Sequence, residues 1–315
     1  MQVMNNKVYD ISGKKKIWFI ISLALIAAIA VITVIKGVEI AIEFKGGTII
    51  SYSYEGDASI KDAQSEIEDL LKTPVVIQEG ENLSNDSNSF SISFSYDTGL
   101  SVEDQTALTE LLQEKFPDNK VELLDSNDVN PTSGKEFFLK CAIASILAAA
   151  LIIIYIALRF KKISGWSAGV CAVIGLLHNL IFVFGTFVIM GYEINANFMA
   201  VILTILGYSV NDTIVIYDRI RENKNNMPKA SVAELVNVST SQSLRRSIRT
   251  SVTTISTMLI VSIVASIYHV SSILSFSIPM IVGMIAGTYA SLCIASPLWV
   301  WWNERKSKSN KKKKK

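Results

Sequence analysis

Six long apolar runs constrain the fold of this chain more strongly than any other feature of its sequence. The first run covers residues 17–35, and its 19 residues are enough to cross the hydrocarbon core of a bilayer once as a helix. A cleaved signal peptide ending near Ala30 is an alternative for this run, but the run continues for five more residues, which favours an anchor. Five further runs follow, at residues 137–160, 166–190, 198–217, 252–268 and 273–302. The sequence thus predicts a six-span helical membrane protein.

The charged residues between the apolar runs predict the orientation of the spans. Lys and Arg cluster before the first run and after the second, fourth and sixth runs, whereas none occurs between the third and fourth or between the fifth and sixth. By the positive-inside rule, both termini are predicted to be cytoplasmic, in a multi-pass protein of the cell membrane. The five tryptophans then all fall at cytoplasmic membrane edges, where this residue is enriched: Trp18, Trp166, Trp299, Trp301 and Trp302.

The block between the first and second runs is acidic and is predicted to lie on the far side of the membrane. Residues 36–135 hold 20 acids, seven lysines and no arginine, a local net charge of −13 in a chain of net charge +2. The block shows strand patterns at residues 38–44, 48–54, 74–78, 90–96 and 120–124, and helix patterns at residues 59–72 and 101–116. Its β-α-β-β-α-β order predicts an α+β ferredoxin-like domain. Gly46 and Gly47 are predicted to form a turn, or hinge, at its start.

These patterns divide the chain into five predicted segments. They are a cytoplasmic N-terminus (1–16), a first transmembrane helix (17–35), an extracytoplasmic α+β domain (36–136), a five-helix transmembrane region (137–302) and a basic cytoplasmic tail (303–315). Anionic membrane lipid is the expected partner of the Lys-rich tail. Contact with ribosomal RNA or an acidic partner is the weaker alternative, so no nucleic-acid partner is predicted.

Residues 207–223, GYSVNDTIVIYDRIREN, contain the carboxylate that most needs an explanation. Asp212 follows Asn211 inside the fourth apolar run, where its neighbours predict lipid or protein on all sides. A carboxylate within a span is costly and usually faces the interior of a helix bundle, where it marks a candidate functional site. At 100° per residue, Asp212 shares a helix face with Tyr208, Ser209 and Asn211.

The start of the fifth run offers a matching polar face. Its four threonines follow the i, i+3, i+4, i+7 spacing of one helix face, and Arg246 lies one turn before them on that face. We therefore expect Asp212 to approach Arg246, with the threonines and Tyr208 near both: Thr250, Thr253, Thr254 and Thr257. Burial disfavours the charged form of a carboxylate and an arginine favours it, so the pair is a candidate proton relay. A buried polar cluster that only fixes helix packing is the alternative.

Other candidate sites have simpler interpretations. His178 and Asn179 form a second polar pair within a span, which fits a neutral, hydrogen-bonded histidine better than a proton carrier. Gly283 and Gly287 form a G-x-x-x-G pair typical of close helix packing. The three cysteines lie in apolar runs without metal-ligand spacing. No phosphate-binding loop, nucleophile with a base, or metal motif occurs, so the sequence predicts neither an enzyme nor a cofactor or metal site.

Four motifs in order resemble those of the SecF type of protein-export membrane protein, from the SecD/SecF family of the resistance–nodulation–division superfamily. Residues 207–223 are similar to the family signature, and residues 41–48, AIEFKGGT, are similar to its G-I-D-F-x-G-G-T motif. Residues 129–136, VNPTSGKE, resemble V-G-P-x-x-G-x-E, and residues 237–254 fit the segment that leads into the fifth span. The chain departs from these motifs at Ala41, Glu43 and Asn130, all at the edges of the outer domain, where a change could alter how that domain hinges on the membrane part.

The resemblance implies a function and partners. Asp212 corresponds to the essential intramembrane acid of the family, and Arg246 to its essential arginine. The chain would pair with SecD, work with the SecYEG channel, and use the proton gradient to help pull unfolded exported polypeptides across the membrane. Two other functions stay open: a structural subunit of the translocon that conducts no protons, and a component of proton-driven small-molecule efflux. One outer block of about 100 residues argues against efflux, which needs larger outer domains with a binding cleft.

Overall fold

Long helices dominate the structure, a computed structural model that describes residues 8–56, 58–82, 87–94, 100–129, 131–268 and 270–312. Within those residues, six helical stretches are long and apolar enough to cross a membrane. They are Lys15–Lys36, Glu136–Arg159, Gly165–Met190, Ala196–Asn226, Val232–Ile267 and Ser271–Lys306. The prediction of six membrane spans is therefore confirmed.

In this part of the chain, ten α-helices and four strands follow one another. They are α1 (Lys15–Lys36), α2 (Ile42–Lys45), β1 (Gly47–Tyr54), α3 (Gln64–Leu71), β2 (Val75–Asn82), β3 (Ser87–Phe94), α4 (Val102–Lys115), β4 (Glu122–Val129), α5 (Pro131–Arg159), α6 (Gly165–Met190), α7 (Ala196–Asn226), α8 (Val232–Ile267), α9 (Ser271–Ala290) and α10 (Ser296–Lys312). The last span is not one regular helix, because a π-helical turn, Ser291–Ala295, joins α9 to α10.

The domain between the first and second spans is the predicted α+β sandwich. Its four strands form one antiparallel sheet in the order β2-β3-β1-β4, which is the ferredoxin-like arrangement. Alternate residues of β1 point into the core, where the Tyr52 ring stacks on Phe90 with centroids 5.3 Å apart. Ser101 caps α4 by accepting a hydrogen bond from the Asp104 N–H at 3.1 Å. Residues 95–99, which include the end of the predicted strand 90–96, lie outside the described residues.

The strand predicted at residues 38–44 is wrong. Its second half is the short helix α2, and Ile40 makes only an isolated bridge to Ile194, in the loop between α6 and α7. The apolar residues of this segment pack on the membrane bundle instead of the sheet, since the Phe44 ring stacks on Phe137 of α5 at 5.7 Å. Gly46 and Gly47 follow with φ values of 83° and 144°, which favour glycine and turn the chain into β1.

The last span lies at the centre of the bundle, because α9 packs against α6, α7 and α8. Its two glycines permit that approach. A Cβ on Gly283 would lie 2.8 Å from side-chain atoms of Ile205 and Val183, and one on Gly287 would lie 2.9 Å from the Ser209 hydroxyl. The close packing predicted for this G-x-x-x-G pair is therefore confirmed.

A polar clasp fastens the segment before α1 to the first turns of α8. Asn237 donates from its amide nitrogen to Asp10 Oδ1 at 2.7 Å and accepts from the Ser12 N–H at 2.9 Å. The Gly13 N–H also donates to Asp10 Oδ1, at 2.9 Å, and the Tyr9 N–H donates to the Ser241 hydroxyl. Asp10 accepts two of these bonds, those from Asn237 and Gly13, and it accepts them more strongly as a carboxylate than as a protonated acid.

We expect Gly283→Leu to lower the free energy of unfolding by about 1–3 kcal/mol, because the added atoms enter a packed helix contact. The control is Gly207→Leu, since a Cβ on Gly207 meets no atom of this chain within 4 Å. Thermal unfolding of the purified full chain in detergent measures both. Equal melting temperatures for the two variants would contradict the tight α9 contact.

We expect the clasp to open in acid. The Gly13 N–H and the Asn237 amide, helped by the charge of Lys14, hold the pKa of Asp10 below its ordinary value, against a small opposing effect of burial. A lowered pKa means that the clasp stabilises the fold above the pKa of an unfolded aspartate and loses that effect as the pH falls through the folded value. Amide hydrogen exchange at Ser12 and Gly13, corrected for intrinsic rates, should accelerate in that range. In the Asp10→Asn variant this pH-dependent acceleration should be absent. If it persisted, a group other than Asp10 would be responsible for it.

Candidate functional site

Asp212 lies on α7, in the part of the helix that is covered by the rest of the bundle. Asn195 starts this helix by accepting a hydrogen bond from the Phe198 N–H at 3.2 Å, and the helix then runs for 31 residues. Asp212 is 7% exposed, and it is the only Asp, Glu, Lys or Arg among the buried side chains of the described residues. The structure thus places one carboxylate where its neighbours on other helices must supply any polar contact.

Hydroxyl groups from two other helices surround this carboxylate. Thr288 of α9 donates to Asp212 Oδ2 at 3.5 Å, and Ser251 of α8 hydrogen-bonds to the same Thr288 hydroxyl at 2.6 Å. The Ser247 hydroxyl of α8 also lies next to Asp212, although no hydrogen bond joins the two. The site therefore joins α7, α8 and α9 through side chains that carry no charge themselves.

The Thr288 hydroxyl has one hydrogen and more than one acceptor. Besides Asp212 it reaches the Met284 carbonyl of its own helix, at 3.1 Å. An ionised Asp212 can only accept, so it requires the hydrogen of Thr288. A protonated Asp212 can itself donate, which frees the Thr288 hydrogen for the Met284 carbonyl. Protonation of Asp212 can therefore reverse the direction of a hydrogen bond between α7 and α9.

Arg246 of α8 lies near Asp212 but does not close an ion pair with it. The guanidinium is close enough to interact electrostatically with the carboxylate, yet within the described part of the chain no N–O contact up to 4.0 Å joins the two. Arg246 is exposed and lines an open cleft of about 440 Å³ together with Asn211 and Tyr155. Water that enters this cleft comes next to the residues that flank Asp212.

A network of ion pairs frames the charged end of this cleft. Asp218 accepts from Arg221 at 2.7 Å and lies 3.7 Å from Arg159 of α5, while Arg219 pairs with Glu222 at 2.6 Å. These pairs are partly exposed, so each contributes little to stability, of the order of 0–1 kcal/mol. Arg246 belongs to none of the ion pairs of the described residues, so its charge is available to Asp212.

A second polar cluster lies deeper in the bundle, about one helix turn from Asp212. The side-chain amide of Asn179 takes the orientation in which both its oxygen and its nitrogen form hydrogen bonds. The nitrogen donates to the Gly175 and Ala286 carbonyls, and the oxygen accepts from the Ser209 hydroxyl. His178 lies beside it, with Nδ1 3.5 Å from the Asn179 amide and its ring 4.7 Å from the Phe182 ring. These contacts fit the interpretation of a packed, neutral histidine.

The four threonines predicted to lie near Asp212 make no hydrogen bond to it among the described residues. Thr253 and Thr257 are exposed, and Thr250 and Thr254 are half-buried. The hydroxyls of all four donate to carbonyls of their own helix. Of the other predicted residues, Asn211 is exposed, and Tyr208 is half-buried with a hydroxyl that finds no partner among the described residues.

The face of α8 that turns toward Asp212 is made of serines, which were not predicted from the sequence. Ser239, Ser243, Ser247 and Ser251 recur at every fourth position, and each is at most 5% exposed. That spacing was a usable signal, because it places small polar residues in one row along the helix. Thr288 carried no such signal, since only the folded bundle brings α9 beside α7.

A metal or cofactor site is not evident at this location. Across the described residues, no group of three or more His, Cys, Asp or Glu side chains is placed to hold a metal ion. Cys171 is buried, while Cys141 and Cys293 are half-buried, and all three are free thiols. The chemistry available around Asp212 is therefore that of one carboxylate, its hydroxyl neighbours and one nearby guanidinium.

Comparison with known proteins gives a consistent result. Residues 108–305 match the family described as "Protein export membrane protein SecD/SecF, C-terminal". The chain is 30% identical to the protein translocase subunit SecF of Petrotoga mobilis, over 96% of this chain and 98% of the relative. It is 32% identical to the protein translocase subunit SecDF of Bacillus subtilis, where the match covers 96% of this chain but 39% of that longer protein.

The fold agrees with these sequence matches. A crystal structure of SecDF, a translocon-associated membrane protein from Thermus thermophilus, superposes with a TM-score of 0.78 and 29% identity. That match covers 96% of this chain and 40% of the SecDF chain. With six spans, the ferredoxin-like outer domain and a near full-length match to a SecF subunit, the chain belongs to the SecD/SecF family of protein-export membrane proteins, as a translocase subunit of the SecF type.

Proposed function

We propose that this subunit couples movement of protons down their gradient to export of unfolded polypeptides, with SecD and the SecYEG channel as partners. The observation that carries the proposal is the burial of Asp212 on a membrane helix, beside hydroxyl groups of two neighbouring helices. A carboxylate in such a place is rare unless it moves ions or protons or positions a partner. Asp212 is the proton carrier in this proposal, and Arg246 adjusts how readily it ionises.

The hydrogen bond with Thr288 gives the proton a mechanical consequence. When Asp212 gains a proton, the Thr288 hydrogen is free to return to the Met284 carbonyl, so the attraction between α7 and α9 changes. The π-helical turn Ser291–Ala295 begins three residues after Thr288, and Ser291 is bound to Thr213 of α7 at 2.9 Å. Turns of this kind are often found at functional sites. We propose that this junction converts protonation into helix movement.

The cleft beside Arg246 is the proposed entry to Asp212 from the charged end of the bundle. Asn211 and Arg246 line it, and both are exposed. The opposite half of the path would pass Tyr208, whose hydroxyl is unpartnered in the described part of the chain, towards the cluster around Ser209. We place the cleft on the cytoplasmic side, with both termini, because the basic loops flank it.

A second six-span unit would complete this path. The exposed face of α8 carries Thr253 and Thr257, and α7 carries the exposed Asn211 beside it. Small polar residues such as these are enriched where membrane helices contact one another, which supports a protein partner at this face. In SecDF the part that matches this chain is joined to a longer remainder, and we propose that a SecD subunit covers the face. The predicted threonines would then line the path at that interface.

The outer domain, acidic and joined through Gly46 and Gly47, is the part proposed to move with the exported polypeptide.

The proposal predicts that Asp212→Asn abolishes gradient-dependent stimulation of export, since an amide cannot carry the proton. The matched control is Glu234→Gln, which removes an acid from an exposed position at the start of α8, outside the cleft. Export of a slow secretory reporter is measured in cells, together with the membrane level of each variant and its co-purification with SecD. Normal export by assembled Asp212→Asn would leave the chain as a structural subunit and overturn the proton-carrier role.

Thr288→Val should reduce export nearly as far as Asp212→Asn, because it removes the hydroxyl that bonds Asp212 while keeping the side-chain shape. Thr288→Ser restores the hydroxyl and should retain export. The pH dependence of export in inverted vesicles measures both variants. If Thr288→Val kept the pH profile of the unsubstituted protein, this hydroxyl would not affect protonation of Asp212. Membrane levels of both variants separate this result from loss of the protein.

A further inference from the structure

A groove on the outside of the bundle lies apart from the Asp212 site. It is formed where α5 ends, the chain turns through a 3-10 helix at Lys161–Ile163, α6 begins and α10 passes. Its volume is about 530 Å³, and it is open along one side. The walls combine the apolar side chains of Ile154, Leu158 and Val170 with Trp166 and Trp302, and two lysines. The proposed proton path uses none of these residues.

The two lysines of the groove have no acidic partner. Lys161 and Lys306 are both exposed, and neither belongs to an ion pair in the described part of the chain. Glu304, the acid nearest to Lys306 along the sequence, already pairs with Lys15 at 3.0 Å, and Asp218 pairs with Arg221. Two uncompensated positive charges therefore face one small volume.

The groove also lies where the membrane surface is expected. Trp166 is 68% exposed and Trp302 is 40% exposed, and tryptophan is enriched at the level of the lipid headgroups. Leu158, 61% exposed, continues the groove from this level along the apolar part of α5. Ser167 accepts a hydrogen bond from Trp299 Nε1 at 3.1 Å, which fixes the start of α6 against α10 and so keeps the two sides of the groove together.

We propose that this groove is a binding site for one anionic phospholipid. The phosphate lies between Lys161 and Lys306, the tryptophan rings flank the glycerol region, and one acyl chain follows Leu158 and Ile154. A zwitterionic lipid would add its own cation to a site that already holds two. Free phosphate would leave the apolar walls and both tryptophan rings uncovered. Charge and apolar surface together therefore select an anionic lipid, and basic pockets between membrane helices bind such headgroups in other proteins.

Native mass spectrometry of the detergent-purified full chain, titrated with phosphatidylglycerol, tests the site. Lys161→Gln combined with Lys306→Gln should weaken retention of the most tightly held lipid on the order of tenfold, from the loss of two charges near the headgroup. The matched control is Lys162→Gln combined with Lys229→Gln, which removes the same charge from the same end of the bundle without touching the groove. This control should retain phosphatidylglycerol as the unsubstituted protein does.

Three results would overturn the proposal. Equal retention by the groove variant and the control would mean that the lipid binds elsewhere. Equal retention of phosphatidylcholine and phosphatidylglycerol would mean that the apolar walls alone hold lipid. Displacement of the lipid by millimolar inorganic phosphate would mean that the site recognises the phosphate group without the chains. The melting temperature of the lysine variant, measured without lipid, separates lost binding from lost folding.

Discussion

The requirement to surround one buried carboxylate with polar partners shapes the membrane half of this protein. Lipid offers no hydrogen bonds, so every partner of Asp212 must come from a neighbouring helix. Thr288 and Ser251 supply hydroxyls only because α9 approaches α7 and α8 closely, and the glycines of α9 make that approach possible. Replacing hydroxyls by charged partners would fix the carboxylate in its ionised form. A shell of neutral groups around it instead leaves both protonation states accessible.

The same constraint explains what the polar residues outside the shell do. Arg246 stays exposed in a cleft, where water keeps the cost of its charge low, and acts on Asp212 across a distance. The contacts of Asn179 and Asp218 each join two or more helices. The bundle thus contains fixed polar contacts on either side of one adjustable contact, the bond between Asp212 and Thr288.

The six-span architecture could be predicted from the sequence because the length of an apolar run is a local property. The ferredoxin-like order was predicted correctly even though the strand at residues 38–44 was wrong, since Phe44 has the same apolar character whether it enters a sheet or packs on α5. The row of buried serines on α8 was missed because the larger threonines one position away have the same period, and periodicity does not tell which row faces inward. Thr288 required the tertiary contact itself.

The π-helical turn Ser291–Ala295 allows the last span to contact both the interior and the outer edge of the bundle. It accommodates one residue more than a regular helix turn, so the residues after it are rotated by about 100° relative to those before it. Thr288, upstream, faces the interior of the bundle, whereas Trp302 and Lys306, downstream, face its outer edge. Residues before and after the turn therefore point in different directions, although they belong to one span. A change of register there would alter the interior contacts and the membrane-edge contacts together.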